Sequence, residues 1–242
     1  MWNRVGSWRD AVREALVAGL VVLPVAQRRR VDRWLRGREE HRRLRAADVA
    51  LVSYGKSGRT WLRVMLSRFY QVRYDLPATA MLEFDNLAKL DPRIPTVLFT
   101  HGNYVRDYTG DYATKAPFLD KRVVLLVRDP RDIAVSQYFQ WKFRMRPWKK
   151  VLNDFPPHGT DGSVFDCFLD ADAGLPKVLE FLDGWERELP RLRHVHVVRY
   201  EDMRADPAAA LAGILAFLGT PGTPAEIAEA VAFGAYDNMK QL

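Results

Sequence analysis

Four short apolar runs recur along the chain from residue 48 onward, and each is followed by polar residues. They are VALVS at 49–53, TVLFT at 96–100, RVVLLVR at 122–128 and HVHVVRY at 194–200. Continuous apolar runs of this length are typical of strands that are buried on both faces. We therefore predict four β-strands, of which the run at 122–128 is the clearest.

Segments with helical spacing lie between these strands. In TWLRVMLSRFY the apolar residues recur every three or four positions, as on one face of a helix. Asp129 with Pro130, and Asp206 with Pro207, have the side chains that commonly begin helices. Strands that alternate with helices predict an α/β fold in which a central parallel β-sheet is flanked by helices, giving three layers.

The residues that follow the four predicted strands are candidates for a site. In parallel α/β sheets, ligands bind beyond the carboxyl ends of the strands. The four junctions present Lys56, His101, Arg128 and Tyr200. We expect the sheet to bring these four side chains to one edge, where three of them can handle an anion or a proton.

The stretch YGKSGRTW joins the first predicted strand to a helix and has the composition of a phosphate-binding loop. Gly55 and Gly58 let the backbone fold around an anion, and Lys56 adds a full positive charge. The stretch differs from the P-loop pattern G-x-x-x-x-G-K-[ST], because Ala50 holds the position of the first glycine. An ordinary turn and a magnesium-dependent nucleotide kinase or phosphotransferase stay open as alternatives, although no later strand ends in the aspartate that such an enzyme needs.

The stretch VRDPRDIAVSQYF supplies a second candidate phosphate site. Arg128 ends a strand, and Ser136 lies eight residues later, about two helical turns along. An arginine and a hydroxyl can hold a second phosphate, so the two stretches together indicate a ligand that is phosphorylated at two places. The alternative is that Arg128 only pairs with Asp129 or Asp132.

Composition and the first 47 residues add less. The 242-residue chain carries a net charge of +7, which suits an anionic ligand, a nucleic acid or an acidic membrane surface. Its single cysteine excludes an internal disulfide. We interpret residues 1–47 as a helical extension, interrupted at Pro24, and residues 48–242 as the main domain. An interfacial membrane anchor within residues 1–45 stays open, because arginines follow the apolar stretch ALVAGLVVLPVA.

Five stretches resemble the cytosolic-type sulfotransferases, a family that includes bacterial members. YGKSGRTWL resembles their 5′-phosphosulfate loop, usually Y-P-K-S-G-T-T-W, and RDPRDIAVSQY resembles their 3′-phosphate motif. FTHGNY falls where the family has its catalytic histidine. VVRYEDMRADPAAALAGILAFLG and AYDNMKQL resemble two later segments. The order and spacing agree from about residue 48 to the end, so the resemblance implies the family's P-loop-like fold.

This resemblance implies a co-substrate, 3′-phosphoadenosine 5′-phosphosulfate (PAPS), and the residues that bind it. The expected 5′-phosphate contacts are Lys56 and the backbone of Ser57, Gly58, Arg59 and Thr60. The expected 3′-phosphate contacts are Arg128 and Ser136. The residues expected around the adenine are Trp61, Tyr200, Tyr236 and Met239.

The resemblance also implies the reaction. Family members move a sulfonate group from PAPS to an acceptor hydroxyl or amine. Lys56 is then expected to stabilise the leaving phosphate, and His101 to act as the general base, without a metal ion. A fixed cation at the leaving oxygen accelerates such a reaction because it stabilises the transition state more than the ground state.

The sequence departs from the family's pattern at several positions. Gly55 replaces a proline, Arg59 replaces a threonine, and Phe99 stands where a lysine often precedes the Thr-His pair. After NMKQL we find none of the family's usual C-terminal segment with its R-K-G phosphate contact. We therefore expect either a fragment or a protein that closes its co-substrate site differently.

The acceptor is the least defined part of the prediction. The segment from Tyr138 to Phe168 is aromatic and basic, and we expect it to line the acceptor pocket. Its aromatic candidates are Trp141, Phe143, Trp148, Phe165 and Phe168, and its basic candidates are Lys142, Arg144, Arg146, Lys149 and Lys150. A small molecule, a lipid or a glycan would each fit this composition. We expect a cytoplasmic enzyme with no nucleic-acid partner, while a non-enzymatic basic protein that binds membranes or nucleic acids stays open.

Overall fold

The computed structural model describes residues 8–239, except for the side chains of residues 8–10, 13, 14, 21 and 236. Its sheet has four strands: β1 Val49–Ser53, β2 Val97–Thr100, β3 Arg122–Val127 and β4 His194–Arg199. All neighbouring pairs are parallel, and the order across the sheet is β2-β1-β3-β4. The four predicted strands and their parallel arrangement are confirmed.

The described residues form twelve α-helices, and the element that follows each strand is one of them. They are α1 Trp8–Gly19, α2 Val25–Ala46, α3 Arg59–Arg73, α4 Asn103–Thr109, α5 Pro130–Phe143, α6 Pro147–Leu152, α7 Val164–Leu169, α8 Leu175–Glu186, α9 Tyr200–Ala205, α10 Pro207–Leu218, α11 Pro224–Phe233 and α12 Tyr236–Met239. Asp129 and Asp206 accept backbone N–H bonds at the starts of α5 and α10. These helix starts agree with the capping signals in the sequence.

Two apolar cores lie on the two faces of the sheet. Side chains alternate along a strand, so Val49 and Leu51 of β1 face one core while Ala50 and Val52 face the other. The first core is closed by α3, α10 and α11, and the second by the end of α2 together with α4 and α8. The three-layer α/β fold is therefore confirmed.

Helix α2 is an integral part of the second helical layer. It begins after Pro24, where the sequence predicts the interruption, and continues without a break to Ala46. It runs against α4 so closely that a Cβ at Gly37 would overlap the carbonyl oxygen of Tyr104. Arg33 fixes this contact by donating to Asp107, with 2.8 Å between Nε and Oδ2. The part of the predicted helical extension that follows Pro24 thus packs against α4.

A transmembrane span is not found in the described part of the chain. Among residues 8–239, every helix is either too short or too polar to cross a bilayer.

Candidate active site

The carboxyl edge of the sheet opens into a cavity of about 1640 Å³. Lys56, His101, Arg128 and Tyr200, which follow the four strands, all line it. Pockets for one small ligand usually measure about 300–1,000 Å³, so this cavity has room for a nucleotide together with a second molecule.

The loop between β1 and α3 is shaped as an anion cradle. Lys56 has a positive φ of 69° and Gly58 one of 92°. Positive φ at a lysine is strained by about 1–2 kcal/mol, and such strain is concentrated at functional sites. Between them, Ser57 is fully buried, and its hydroxyl has no hydrogen-bond partner among the described residues. The loop leads into the N-terminus of α3, whose unpaired N–H groups attract anions.

Gly58 is required by packing as well as by its backbone angle. A Cβ there would lie 2.5 Å from Cδ2 of Tyr200. The Tyr200 ring thus covers the loop, and it also lies under Arg128, whose Cζ is 4.4 Å from the ring centroid. One tyrosine therefore connects the first candidate phosphate site to the second.

Arg128 reaches the first loop directly. Its Nη1 donates to the carbonyl oxygen of Lys56 at 3.0 Å, and its Nη2 donates to Asp132 at 3.2 Å. The alternative pairing with Asp132 is thus present, but it leaves the Arg128 side chain on the cavity wall together with Ser136. Burial lowers the pKa of Lys56, and the guanidinium groups of Arg144 and Arg128 lower it further.

His101 is held as a neutral base. Its Nδ1 lies 2.6 Å from the carbonyl oxygen of Ser53, and because a carbonyl only accepts, Nδ1 carries the proton. The lone pair is then on Nε2, which accepts from Nη2 of Arg59 at 3.0 Å. Burial lowers the pKa of His101 to about 3, with a further contribution from the Arg59 charge. A histidine in this state can accept a proton once Arg59 moves aside.

A buried carboxylate lies next to this histidine. The Thr100 hydroxyl donates to Glu40 of α2 and accepts from the N–H of Gly102 at 2.7 Å. Burial raises the pKa of Glu40, while the Thr100 hydrogen bond and the charge of Arg59 oppose that rise. Glu40 thus fixes the turn that carries His101 and faces the guanidinium bonded to it.

The remaining predicted residues occupy one end of the cavity. Trp61 and Tyr200 both line it, with ring centroids 6.1 Å apart and an interplanar angle of 74°. This T-shaped contact leaves no parallel slot between the two rings, so a base would stack on one of them. Gly58, Arg59, Thr60 and Met239 also line the cavity. The side chain of Tyr236 and all residues after Met239 lie outside the described part of the chain.

The aromatic and basic segment described above contributes less to the cavity than its composition predicts. Trp148 and Lys149 line the wall. Trp141 is buried, with its indole N–H donating to a backbone carbonyl at 2.8 Å, and Phe143 and Phe165 are 69% and 68% exposed. The prediction that Trp141, Phe143 and Phe165 line the acceptor pocket is therefore wrong, because α5 turns Trp141 into the interior and the rings of Phe143 and Phe165 are exposed to solvent.

Other elements supply the wall that the sequence analysis missed. Tyr54, Phe181 and the buried Trp185 form a row of aromatic rings, with successive centroid distances of 5.4 and 6.4 Å. From α2 come Arg33 and Arg36, which also line the cavity. Arg33, Arg36 and Glu40 are three and four residues apart, which places them on one face of a helix. This spacing could have been recognised in the sequence.

Phe99 and Gly55 are two of the positions that depart from the motif pattern, and the structure shows what surrounds each of them. Phe99 is partly buried and packs against the first core, so its position on β2 supplies no cation to the cavity. A Cβ at Gly55 would lie 3.2 Å from Oε1 of Gln137 on α5. The backbone at Gly55 is therefore packed closely against α5.

Together, these features combine the parts needed to transfer an anionic group. A positively charged cradle, a second cation at Arg128 and a neutral imidazole lie on the wall of the same cavity. The cradle can hold a phosphate-like leaving group, and the imidazole can remove a proton from an incoming hydroxyl or amine.

Comparisons with known proteins agree with this arrangement. Residues 46–242 match the family described as the sulfotransferase domain. Cytosolic sulfotransferase 1 of Arabidopsis thaliana is 27% identical over 204 residues, covering 74% of this chain and 58% of the relative. Sulfotransferase 6B1 of Homo sapiens is 26% identical over 180 residues, covering 71% of this chain and 55% of the relative. The chain therefore spans less than two thirds of the length of either relative.

A solved structure shares the fold. The crystal structure of mouse sulfotransferase SULT7A1 complexed with PAP aligns with a TM-score of 0.55 and 22% sequence identity. The alignment covers 81% of this chain and 67% of the mouse chain.

Proposed function

This chain belongs to the sulfotransferase family, and we propose that it transfers a sulfonate group from PAPS to the hydroxyl or amine of an acceptor. The observation that carries the proposal is the common cavity of the Lys56 cradle, Arg128 and His101. Any one of these groups has an ordinary structural explanation. Their meeting at the carboxyl edge of a parallel sheet is what favours a bisphosphorylated nucleotide beside a base.

The residues present fit the two phosphate groups of PAPS. The 5′-phosphate would lie in the loop at 56–60, where the buried Ser57 hydroxyl has no partner among the described residues. The 3′-phosphate would contact Arg128, whose Nε is likewise buried without a described partner, together with Ser136. The adenine would stack on Trp61 or Tyr200, with Met239 and Tyr236 nearby.

Lys56 and His101 would then act on opposite sides of the transferred sulfur. As the S–O bond to the 5′-phosphate breaks, negative charge grows on the bridging oxygen, and the Lys56 ammonium stabilises it. His101 Nε2 takes the proton from the acceptor as the new S–O or S–N bond forms. Because Nδ1 is fixed on Ser53, Nε2 is the atom that accepts, and the acceptor must replace Arg59 there.

Calorimetry with adenosine 3′,5′-bisphosphate and with magnesium ATP tests this proposal. We expect metal-independent binding of the bisphosphate, and at least tenfold weaker binding after Lys56→Ala, because charge-assisted hydrogen bonds contribute about 1.5–3 kcal/mol each. Lys89→Met is the matched control, since Lys89 is exposed and pairs with Asp85 away from the cavity. A preference for magnesium ATP would instead support a nucleotide kinase or phosphotransferase.

A further inference from the structure

The cavity carries more positive charge than one nucleotide can neutralise. Eleven arginine and lysine side chains line it, against three carboxylates. A nucleotide with one 3′-phosphate and one 5′-phosphosulfate brings about four negative charges at neutral pH. Arg33, Arg36 and Arg128 also pair with carboxylates outside the lining, but the other eight cations still outnumber the three lining carboxylates.

Three of these cations lie on elements other than those that carry the candidate phosphate-binding residues. They are Arg106 of α4, Lys115 in the loop before β3 and Lys177 of α8. Each lies near an aromatic ring. Arg106 Cζ is 5.4 Å from the centroid of Tyr112, Lys115 Nζ 5.6 Å from Trp185, and Lys177 Nζ 5.2 Å from Phe155. An aromatic face holds a cation in place but does not neutralise it as a carboxylate does.

Lys115 is the least compensated of the three. It is half-buried, and in the part of the chain that the structure describes no carboxylate forms an ion pair with it. Burial lowers the pKa of Lys115 and the nearby Arg106 charge lowers it further, while the Glu188 and Asp111 carboxylates oppose this shift. Arg106 has Glu180 at 3.5 Å, and Lys177 donates to the backbone carbonyls of Asn153 and Asp172. Burial and the Arg106 charge also lower the pKa of Lys177, against the opposing charges of Asp154 and Asp172. Like charges gathered in one cavity are typical of anion-binding sites.

Trp185 connects this cluster to the reacting atoms. A Cβ at Gly102, the residue after His101, would lie 3.8 Å from Cζ2 of Trp185. Lys115 lies 5.6 Å from the centroid of the same indole. The turn that carries His101 and the Lys115 ammonium therefore lie near the same indole, at the end of the aromatic row of Tyr54, Phe181 and Trp185.

We propose that the acceptor is a small anionic molecule, whose carboxylate, phosphate or sulfate binds Arg106, Lys115 and Lys177 while its hydroxyl or amine faces His101. This inference rests on the proposed function and names the acceptor class for the same site. An aromatic or other flat body would lie against Tyr54 and Phe181 between the two ends. The acceptor's own charge then supplies the direct ion pair that Lys115 does not make with any carboxylate of the described residues.

Matched probes that differ only in charge test the acceptor site. The probes are 4-hydroxyphenylacetate, its neutral amide and 4-hydroxyphenyl phosphate, each added to protein loaded with adenosine 3′,5′-bisphosphate. Calorimetry gives their affinities, and transfer of labelled sulfonate from PAPS gives kcat/KM. We expect both anions to exceed the amide by about 10- to 100-fold, as for a charge-assisted contact. The stronger of the two anions distinguishes a carboxylate acceptor from a phosphorylated one.

Variants of the cluster make the test specific. Lys115→Met should bring the ratio between anion and amide close to one and leave bisphosphate binding unchanged, whereas Lys115→Arg should retain the preference. Lys89→Met serves again as the surface control. Arg106→Gln is a second variant with the same expected loss, should Lys115→Met fail to fold.

The outcomes separate this inference from the proposed function. Equal binding of acid and amide, or binding of neither, by protein that holds the bisphosphate would overturn the anionic acceptor site while the proposed function stands. Failure to bind the bisphosphate would overturn the proposed function. In that case, the affinities of 4-hydroxyphenylacetate and its amide for the free protein and for Lys115→Met would still decide whether Arg106, Lys115 and Lys177 bind anions.

Discussion

At the scale of single residues, two hydrogen bonds fix the neutral imidazole of His101. Ser53 fixes its tautomer, and Arg59 occupies its lone pair. The sequence places a histidine at the end of a strand, but it contains no sign of either hydrogen bond. Both depend on how β1 and α3 approach β2 in three dimensions, so the sequence could identify the histidine but not its resting state.

Removing the imidazole should separate binding from turnover. We expect His101→Ala to bind adenosine 3′,5′-bisphosphate with unchanged affinity, because the phosphate grips are on other residues. Sulfonate transfer should fall about 10²- to 10⁴-fold, the usual contribution of a general base. Calorimetry and labelled transfer measure the two effects. His194→Ala is the control, since His194 is exposed on β4. Normal turnover in His101→Ala would rule out the base assignment.

Arg59 should set the pH at which His101 works. We expect Arg59→Thr to raise the pKa of His101 above about 3, because the variant removes the charge that adds to the effect of burial. Since the base acts unprotonated, the acid limb of the pH–rate profile should move to higher pH. An NMR titration of the His101 ring measures the pKa directly. Arg59→Lys, which keeps a positive charge, should shift it less. The same pKa in all three proteins would show that burial alone sets it.

At the scale of elements, the sequence predicts strands and helices best where the residues they bury are apolar. The four strands are continuous apolar runs. The starts of α5 and α10 are marked by the capping residues Asp129 and Asp206 and by the prolines that follow them. The packing of α2 could not be predicted, because its buried face includes Asp32 and Gly37, which no apolar pattern reveals. The side chains expected around the acceptor were misplaced for a related reason, since aromatic composition does not tell which way a helix turns its side chains.

The contact between α2 and α4 should be sensitive to one methyl group. We expect Gly37→Ala to reduce the free energy of unfolding by about 1–3 kcal/mol, because the added Cβ overlaps the Tyr104 backbone and forces the helices apart. Urea unfolding measures the change. Gly19→Ala is the matched control, since a Cβ there meets no atom within 4 Å and its φ is −64°. A neutral Gly37→Ala would mean that α2 does not pack on α4 in solution.

At the scale of the whole molecule, the rule that ligands bind beyond the carboxyl ends of parallel strands predicts that the four strand junctions meet, and Lys56, His101, Arg128 and Tyr200 do line one cavity. The strand order β2-β1-β3-β4 puts the Lys56 loop between the His101 turn and Arg128. No local pattern contains that order. It follows from how the two layers of helices cover the sheet, and the contribution of α2 to the cavity has the same origin.

Buried titratable groups at this edge should make global stability depend on pH in a defined direction. Unfolded His101 takes up a proton below its ordinary pKa of 6.5, whereas the folded protein does so only near pH 3. Between these values the unfolded state holds more protons, so acid should lower the free energy of unfolding, by at most about 1.4 kcal/mol per pH unit from this group. Urea unfolding at a series of pH values measures the slope.

Glu40 contributes to the pH dependence of the free energy of unfolding with the opposite sign. Variants of Glu40 and His101 can therefore show which residue causes which part of that dependence. The pKa of Glu40 is raised by burial, so above its ordinary value of 4.5 the folded protein holds the carboxyl proton more firmly, and that stabilisation is lost as pH rises. Glu40→Gln should therefore steepen the gain in stability between pH 4.5 and 6.5, and His101→Gln should flatten it, while His194→Gln leaves it unchanged. Because Glu40 reaches the Thr100–His101 turn only when α2 is docked on the sheet, Gly37→Ala should weaken both effects together. If both slopes are the same in the Gly37→Ala background, the packing of α2 does not control the burial of these two groups.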